Sequence, residues 1–177
     1  MLLLPRFLLA MFASVLRKRL GTLDESQVTF TALPTDCDLN FHLNAGRFVS
    51  FMDIARIELI GRMRLIRRML ARGWRPVMGG IVVRYRKSVL PFERFTIRTR
   101  LVGWDERWFY LEHIVEKRNA EKGAAEFCAV AHARTVIRSK QGTIPPRDVL
   151  AMMDIAETTS PPLPVFVEQW RASEDAR

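Results

Sequence analysis

Nine residues, Asp36-Cys-Asp-Leu-Asn-Phe-His-Leu-Asn44, put two carboxylates, an imidazole and two carboxamides into one short stretch. Side chains of these types can move protons, attack a carbonyl carbon or activate water. Their position makes that chemistry worth considering. A strand-like segment, Val28 to Leu33, precedes them. After Asn44 apolar residues recur at helical spacing as Phe48, Phe51, Met52, Ala55 and Leu59. Asn44 is a good N-cap. A carboxylate shortly before a cap lies near the helix's unpaired N–H groups, which can hold an oxyanion while the carboxylate attacks or activates water. Asp and Asn are equally the residues that any strand-to-helix turn prefers, so a plain turn is the competing reading.

The elements that would hold this stretch follow from periodicity. Gln27 to Leu33 alternates as a strand does, and Gly46 to Leu59 reads as a helix that Gly61 interrupts. Arg62 to Arg72 is a second, basic amphipathic stretch closed by Gly73. Strand signals then run through Gly80–Val89, Phe92–Trp104, Arg107–Lys117 and Ala124–Ser139, with Asn119–Gly123 as a polar turn. Phe95, Ile97, Thr99 and Leu101 share one face. Ala129, Ala131 and Ala133 share another, small enough for a helix to approach closely. Short turns between strands imply antiparallel pairing, so the expected class is α+β, one long helix on one antiparallel sheet. Pro145–Met153 reads as a short helix, and Pro161 to Pro164 lead into a last turn around Trp170.

With 177 residues the chain suits one domain with a real core. We divide it into an apolar and basic N-terminal segment, 1–21, a central domain, 22–140, and a C-terminal extension, 141–177. Lys and Arg number 28 against 19 acidic residues, a net charge of +9 that favours anionic partners. No RNP-like string, helix-turn-helix signal or zinc finger supports nucleic-acid binding. Cys37 and Cys128 are isolated, and three histidines without HExxH argue against a metal site. No cofactor is called for. The cysteine usage fits a reducing, cytoplasmic setting. In residues 1–20 the uninterrupted apolar run, Phe7 to Leu16, is about half of what a bilayer span needs. With Arg17-Lys18-Arg19 behind it, the segment either lies peripherally on an anionic membrane surface or packs on its own domain or a partner.

At this point the motif and the order of elements meet. DCDLNFHLNAGRFVSFMDIAR resembles the hotdog-fold thioesterases of the 4-hydroxybenzoyl-CoA type, through Asp36, Asp38, His42, Asn44, Ala45 and Phe48. FTIRTRLVGWDERWFYLEH and the Pro-Pro-Leu-Pro…Trp tail resemble the branch called thioesterase superfamily member six. The resemblance implies a hotdog fold, in which a curved antiparallel sheet wraps a long central helix. It also implies a homodimer or homotetramer with sites between subunits, and acyl-CoA as substrate. It places the nucleophile or general base at Asp38 and the carbonyl-polarising N–H at about Ala45, with Gly46 beside it.

The chemistry of those residues is consistent with such roles. An aspartate is ionised at neutral pH without a proton relay, so Asp38 can act as base or nucleophile. The first-turn amides of Ala45 and Gly46 lack intrahelical partners, and Gly46 leaves room for an acyl group. Asp36 caps or orients the loop, or else catalyses. His42 orders Asp38 or the substrate, makes a structural bond, or takes part in catalysis. Asn44 is the cap, and Cys37 is a filler. Arg84, Arg86 and Lys87 either bind CoA phosphates or face water. Asp53 and Arg56 form a structural pair. Trp104, Trp108, Phe109 and Tyr110 pack in the core or at a dimer contact, and His113 and His132 receive no chemistry. A hydratase of the same fold would carry D-x-N-P-x-H, from which Asp38-Leu-Asn40-Phe-His42 departs. A non-catalytic acyl or lipid binder is the remaining alternative.

Overall fold

The computed structural model describes residues 3–118, 123–153 and 159–175. The sheet runs in the order β1 (Ser26–Thr31), β3 (Arg94–Trp104), β4 (Phe109–Arg118), β5 (Ala125–Ser139), β2 (Arg75–Tyr85), all antiparallel, with β6 (Gly142–Ile144) on the end of β5. Its inner face packs on α2 (Ala45–Arg62). Alternation explains why. Phe95, Ile97, Thr99 and Leu101 of β3 are all buried, and Ala129, Ala131 and Ala133 of β5 are fully so, but α2 makes its close approach to β3 and β1 rather than to the alanines of β5. Phe30, Phe51 and Phe95 meet at ring-centroid distances of 4.8–5.7 Å in this core.

Most elements differ from their expected limits by a residue or a few, and the larger differences have physical reasons. Gly61 does not interrupt α2. The helix continues to Arg62, and the break comes at Arg64, which is left-handed at φ 60°, before α3 (Leu65–Ala71). Gly61 is instead where α1 (Leu3–Leu16) crosses, since a Cβ there would overlap Ser14. Pro5 lies in the first turn of α1, where a proline lacks only an N–H that would be unpaired anyway. β2 begins at Arg75, not Gly80, and ends at Tyr85, not Val89. Pro76 and Gly79-Gly80 obscure it in sequence, yet an edge strand tolerates proline, and the glycines lie under Trp108 and Trp170. The turn expected around Trp170 is a helix, α5 (Val165–Asp175), held where Arg134 stacks on Trp108 and Trp170 and pairs with Glu174. The expected short helix is α4 (Pro146–Ala151). Of the expected polar turn, residues 119–122 lie outside the described residues.

The N-terminal segment lies along α2. Arg6 pairs with Asp36 at 2.7 Å, and Arg17 pairs with buried Glu58 at 2.9 Å and donates to the Gln27 carbonyl. Arg64 donates to the Val15 and Arg17 carbonyls. The far side of α1 leaves Leu4, Leu9, Phe12, Val15 and Leu16 exposed. Among the described residues no helix is long and apolar enough to cross a membrane.

Candidate active site

The loop between β1 and α2 closes on itself before the helix starts. Cys37 and Leu43 form an antiparallel bridge, the Asp38 N–H donates to the His42 carbonyl at 2.9 Å, and the Asn44 N–H donates to the Asp36 carbonyl at 3.0 Å. Phe41 turns the chain with φ 56°, a left-handed value unusual for an aromatic residue. The Leu43 N–H reaches the Val89 carbonyl, which ties the loop to the segment after β2.

Within this frame the two aspartates have opposite fates. Asp36 is buried, and one carboxylate oxygen accepts from Arg6 and from the Leu33 N–H at 3.0 Å. It orients the loop. Asp38 is exposed, and its Oδ1 accepts from the N–H groups of Asn40 at 2.9 Å and His42 at 3.4 Å. The backbone of His42, rather than its imidazole, therefore reaches Asp38. Cys37 lies between them as a thiol, its pKa raised by burial first and by Asp36 and Asp38 next, which suits a filler rather than a nucleophile.

Asn44 caps α2 with φ −60° and ψ 140°, its side chain accepting from the Gly46 N–H at 2.9 Å. That bond changes the expected donor pair. The Gly46 amide is committed to the cap, while the Ala45 N–H has no partner among the described residues. The first turn carries no acidic side chain, so the positive end of the helix dipole is uncompensated from within. An N–H donor and an open dipole end suit an anion or a developing oxyanion.

Tyr85, which the motif did not reveal, anchors this junction from β2. Its hydroxyl donates to the Ala45 carbonyl at 3.0 Å and its ring packs edge-on to Phe48 at 5.4 Å. Strand alternation carried the signal, because Tyr85 must face opposite to Arg84 and Arg86. Those two and Lys87 are exposed, and Lys87 lies 3.9 Å from Glu126. Asp53 and Arg56 pair as expected, while Phe109 and Tyr110 are buried. His113 is fully buried, bonded to Thr99 at 2.9 Å, and burial holds its pKa down to about 3. His132 is lowered too, first by burial. Both cysteines are free, and among the described residues no cluster of three His, Cys, Asp or Glu could hold a metal.

Comparison with known proteins bears on this geometry. The pattern defining the thioesterase-like superfamily matches residues 32–170. The protein THEM6 of Xenopus laevis is 32% identical over 158 residues, covering 87% of this chain and 70% of that protein. A probable thioesterase of Saccharomyces cerevisiae is 26% identical, and the chain spans 50% of its length. Among solved structures, a mutant 4-hydroxybenzoyl-CoA thioesterase complexed with 4-hydroxybenzoyl-CoA superposes with a TM-score of 0.66 at 14% identity, covering 73% of this chain and 98% of that one. The probable thioesterase YbaW of Escherichia coli gives 0.64 at 19%, covering 72% and 94%. At such identities the likeness establishes the fold, which is the hotdog arrangement expected from the sequence.

Proposed function

The chain belongs to the thioesterase-like superfamily, and from that premise we propose that it is an acyl-CoA thioesterase whose reacting carboxylate is Asp38. A thioester hydrolase needs a base or nucleophile and a donor for the oxyanion. Asp38 supplies the first. The second is narrowed by one observation that carries the reading: Gly46 spends its N–H on the cap, and Ala45 keeps its own open at the positive end of α2. His42, through its backbone, and Asn44, through its cap, hold Asp38 and Ala45 in one junction. Arg84, Arg86 and Lys87 are offered to the CoA phosphates. Asp38→Asn, assayed against a panel of acyl-CoAs, tests the proposal. Hydrolysis that survives the substitution at more than a tenth of its rate would refute Asp38 as the reacting group.

A second reading has its own support. Asp38 already holds two N–H groups of its own loop, which a purely structural aspartate also does. In that case the protein binds acyl chains without turning them over. Acyl-CoA binding with no hydrolysis by the unmutated chain would establish it.

The edge of the sheet supports an oligomer. β2 is eleven residues long, pairs only with β5 among the described residues, and is half-exposed over most of its length. An uncovered edge of that length is a template for a second copy, so a homodimer through β2 is the assembly proposed, with a tetramer as its doubling. Peripheral binding to an anionic membrane is proposed for the outer face of α1, where Leu9 and Phe12 are 71% and 66% exposed beside Arg17-Lys18-Arg19. Leu9→Ser/Phe12→Ser tests it better than deletion, which would uncover α2. Equal binding to anionic liposomes by parent and variant would refute it.

A further inference from the structure

One guanidinium from the N-terminal helix holds the start of the loop that carries Asp38. Arg6, near the beginning of α1, donates to the Asp36 carboxylate at 2.7 Å and to the Thr31 carbonyl at 3.2 Å. Its guanidinium also lies 5.0 Å from the ring centre of Phe51. It thus joins the end of β1, the turn before the loop and α2. Asp36 is 1% exposed, and among the described residues Arg6 is the one cation paired with it. A buried carboxylate keeps its place while its charge is matched. Deprived of the partner, it must turn to water or draw water in.

Both halves of the candidate site depend on where Asp36 sits. Its side chain accepts from the Leu33 N–H, and its backbone carbonyl accepts from the N–H of the cap residue, Asn44. Asp38 follows two residues later, with its own N–H on the His42 carbonyl. Asp36 is therefore the point at which the outgoing strand of the loop, with Asp38, meets the returning strand, with Asn44 and Ala45. A displacement there changes the distance between the carboxylate and the open amide. Misplacing reacting groups by about 1 Å can cost a hundredfold in rate.

A different ion pair docks the far end of α1. Arg17, just past the helix, pairs with Glu58 at 2.9 Å, and the other cation on Glu58 is Arg62. Glu58 lies thirteen residues beyond Ala45 on α2, about 20 Å along the helix. The N-terminal segment is thus held by one pair that bears on the loop and by one remote from it. α1 lies outside residues 32–170, the part of the chain that the superfamily pattern matches.

We propose that Arg6 is a positioning residue for the thioester site, acting through Asp36 to set Asp38 against the Ala45 amide, so that α1 is part of the active-site scaffold. The inference rests on the reading of Asp38 and Ala45 above, and adds a residue that touches neither.

The test compares two charge-neutral pairs in the full chain. Arg6→Met/Asp36→Asn removes the pair at the loop without stranding a buried charge, and asparagine can still accept from the Leu33 N–H. Arg17→Met/Glu58→Gln removes the remote pair. Thermal melting establishes that both fold. With an acyl-CoA substrate, R6M/D36N should lower kcat by about tenfold or more and keep KM within threefold. R17M/E58Q should keep kcat within twofold, although it also loosens α1. An unchanged kcat in R6M/D36N, or an equal fall in both variants, overturns the proposal.

Amide hydrogen exchange reads the loop without any reaction. R6M/D36N should speed exchange across residues 36–44 by about tenfold or more, with β3, β4 and β5 as in the parent and R17M/E58Q unchanged in the loop. If the parent hydrolyses no thioester, the reaction assigned above has failed, and positioning is judged on exchange alone. Unchanged exchange in 36–44, or the same rise in the loop and in the three strands, overturns it.

Discussion

At its N-terminal end α2 meets solvent through Asn44, Ala45 and Gly46, all exposed, whereas Arg56, Glu58, Leu59 and Gly61 of its second half are buried. The first end keeps a backbone N–H unpaired and has no acid to neutralise its dipole. The second end buries a glutamate where the dipole disfavours negative charge, and brings Arg17 to 2.9 Å and Arg62 to 3.8 Å to hold it. The same contrast recurs two residues apart in the loop, where Asp36 is buried against Arg6 and Asp38 is exposed. At one end charges are paired and covered. At the other, backbone groups are left open at the surface, where the proposed chemistry would need them.

The contrast predicts that substitutions at the two ends separate activity from stability. The largest effect is expected from Asp38→Asn, which should lower kcat by a factor of about 100 or more, in the range of lost acid–base or nucleophilic groups, with little change in melting temperature. A large loss of stability would instead make Asp38 a structural residue. Glu58→Ala should do the reverse, costing about 2–3 kcal/mol in urea unfolding because two arginines lose their partner, one of them half-exposed and able to turn to water. Its kcat should stay within about twofold of the parent. A variant as stable as the parent would remove the ion-pair half of the comparison.

His113 sharpens the buried side through pH. Its folded pKa is depressed to about 3 from an unfolded value near 6.5, so below pH 6.5 the unfolded chain binds a proton that the folded chain does not. Stability is therefore fully present above pH 6.5 and falls as pH is lowered toward 3. Between pH 7 and pH 5 this one group should account for about 2 kcal/mol, and His132 acts in the same direction. Urea titrations of the parent and of His113→Phe check this, the variant being expected to show the flatter dependence. The smallest effect is expected from Asn44→Ala, about 1 kcal/mol for a lost cap. It also releases the Gly46 N–H, so kcat should change by less than tenfold, against the much larger loss at Asp38.

Much of this contrast is already present along the chain, and its gaps have physical causes. The buried faces of β3 and β5, the cap at Asn44 and the Asp53–Arg56 pair follow from periodicities of two and 3.6, which depend only on neighbours in sequence. The limits of β2 did not follow, because Pro76, Gly79 and Gly80 oppose a strand locally and are accepted only where the edge is free and two tryptophans fill the space above the glycines. Gly61 reads locally as a helix break for the same kind of reason. Only the crossing of Ser14 explains a glycine inside a continuous helix.

The candidate site divides in the same way. Residue types and spacing marked the loop, the cap at Asn44 and the first turn of the helix, since capping and turn chemistry act over a few residues, while the choice of Asp38 rests on the family resemblance. Tertiary structure decided which aspartate is held by Arg6, which of the two amides stays open, and that Tyr85 clamps the junction from a distant strand. Those outcomes depend on contacts between residues far apart in the chain, and burial and charge pairing are properties of such contacts rather than of local sequence.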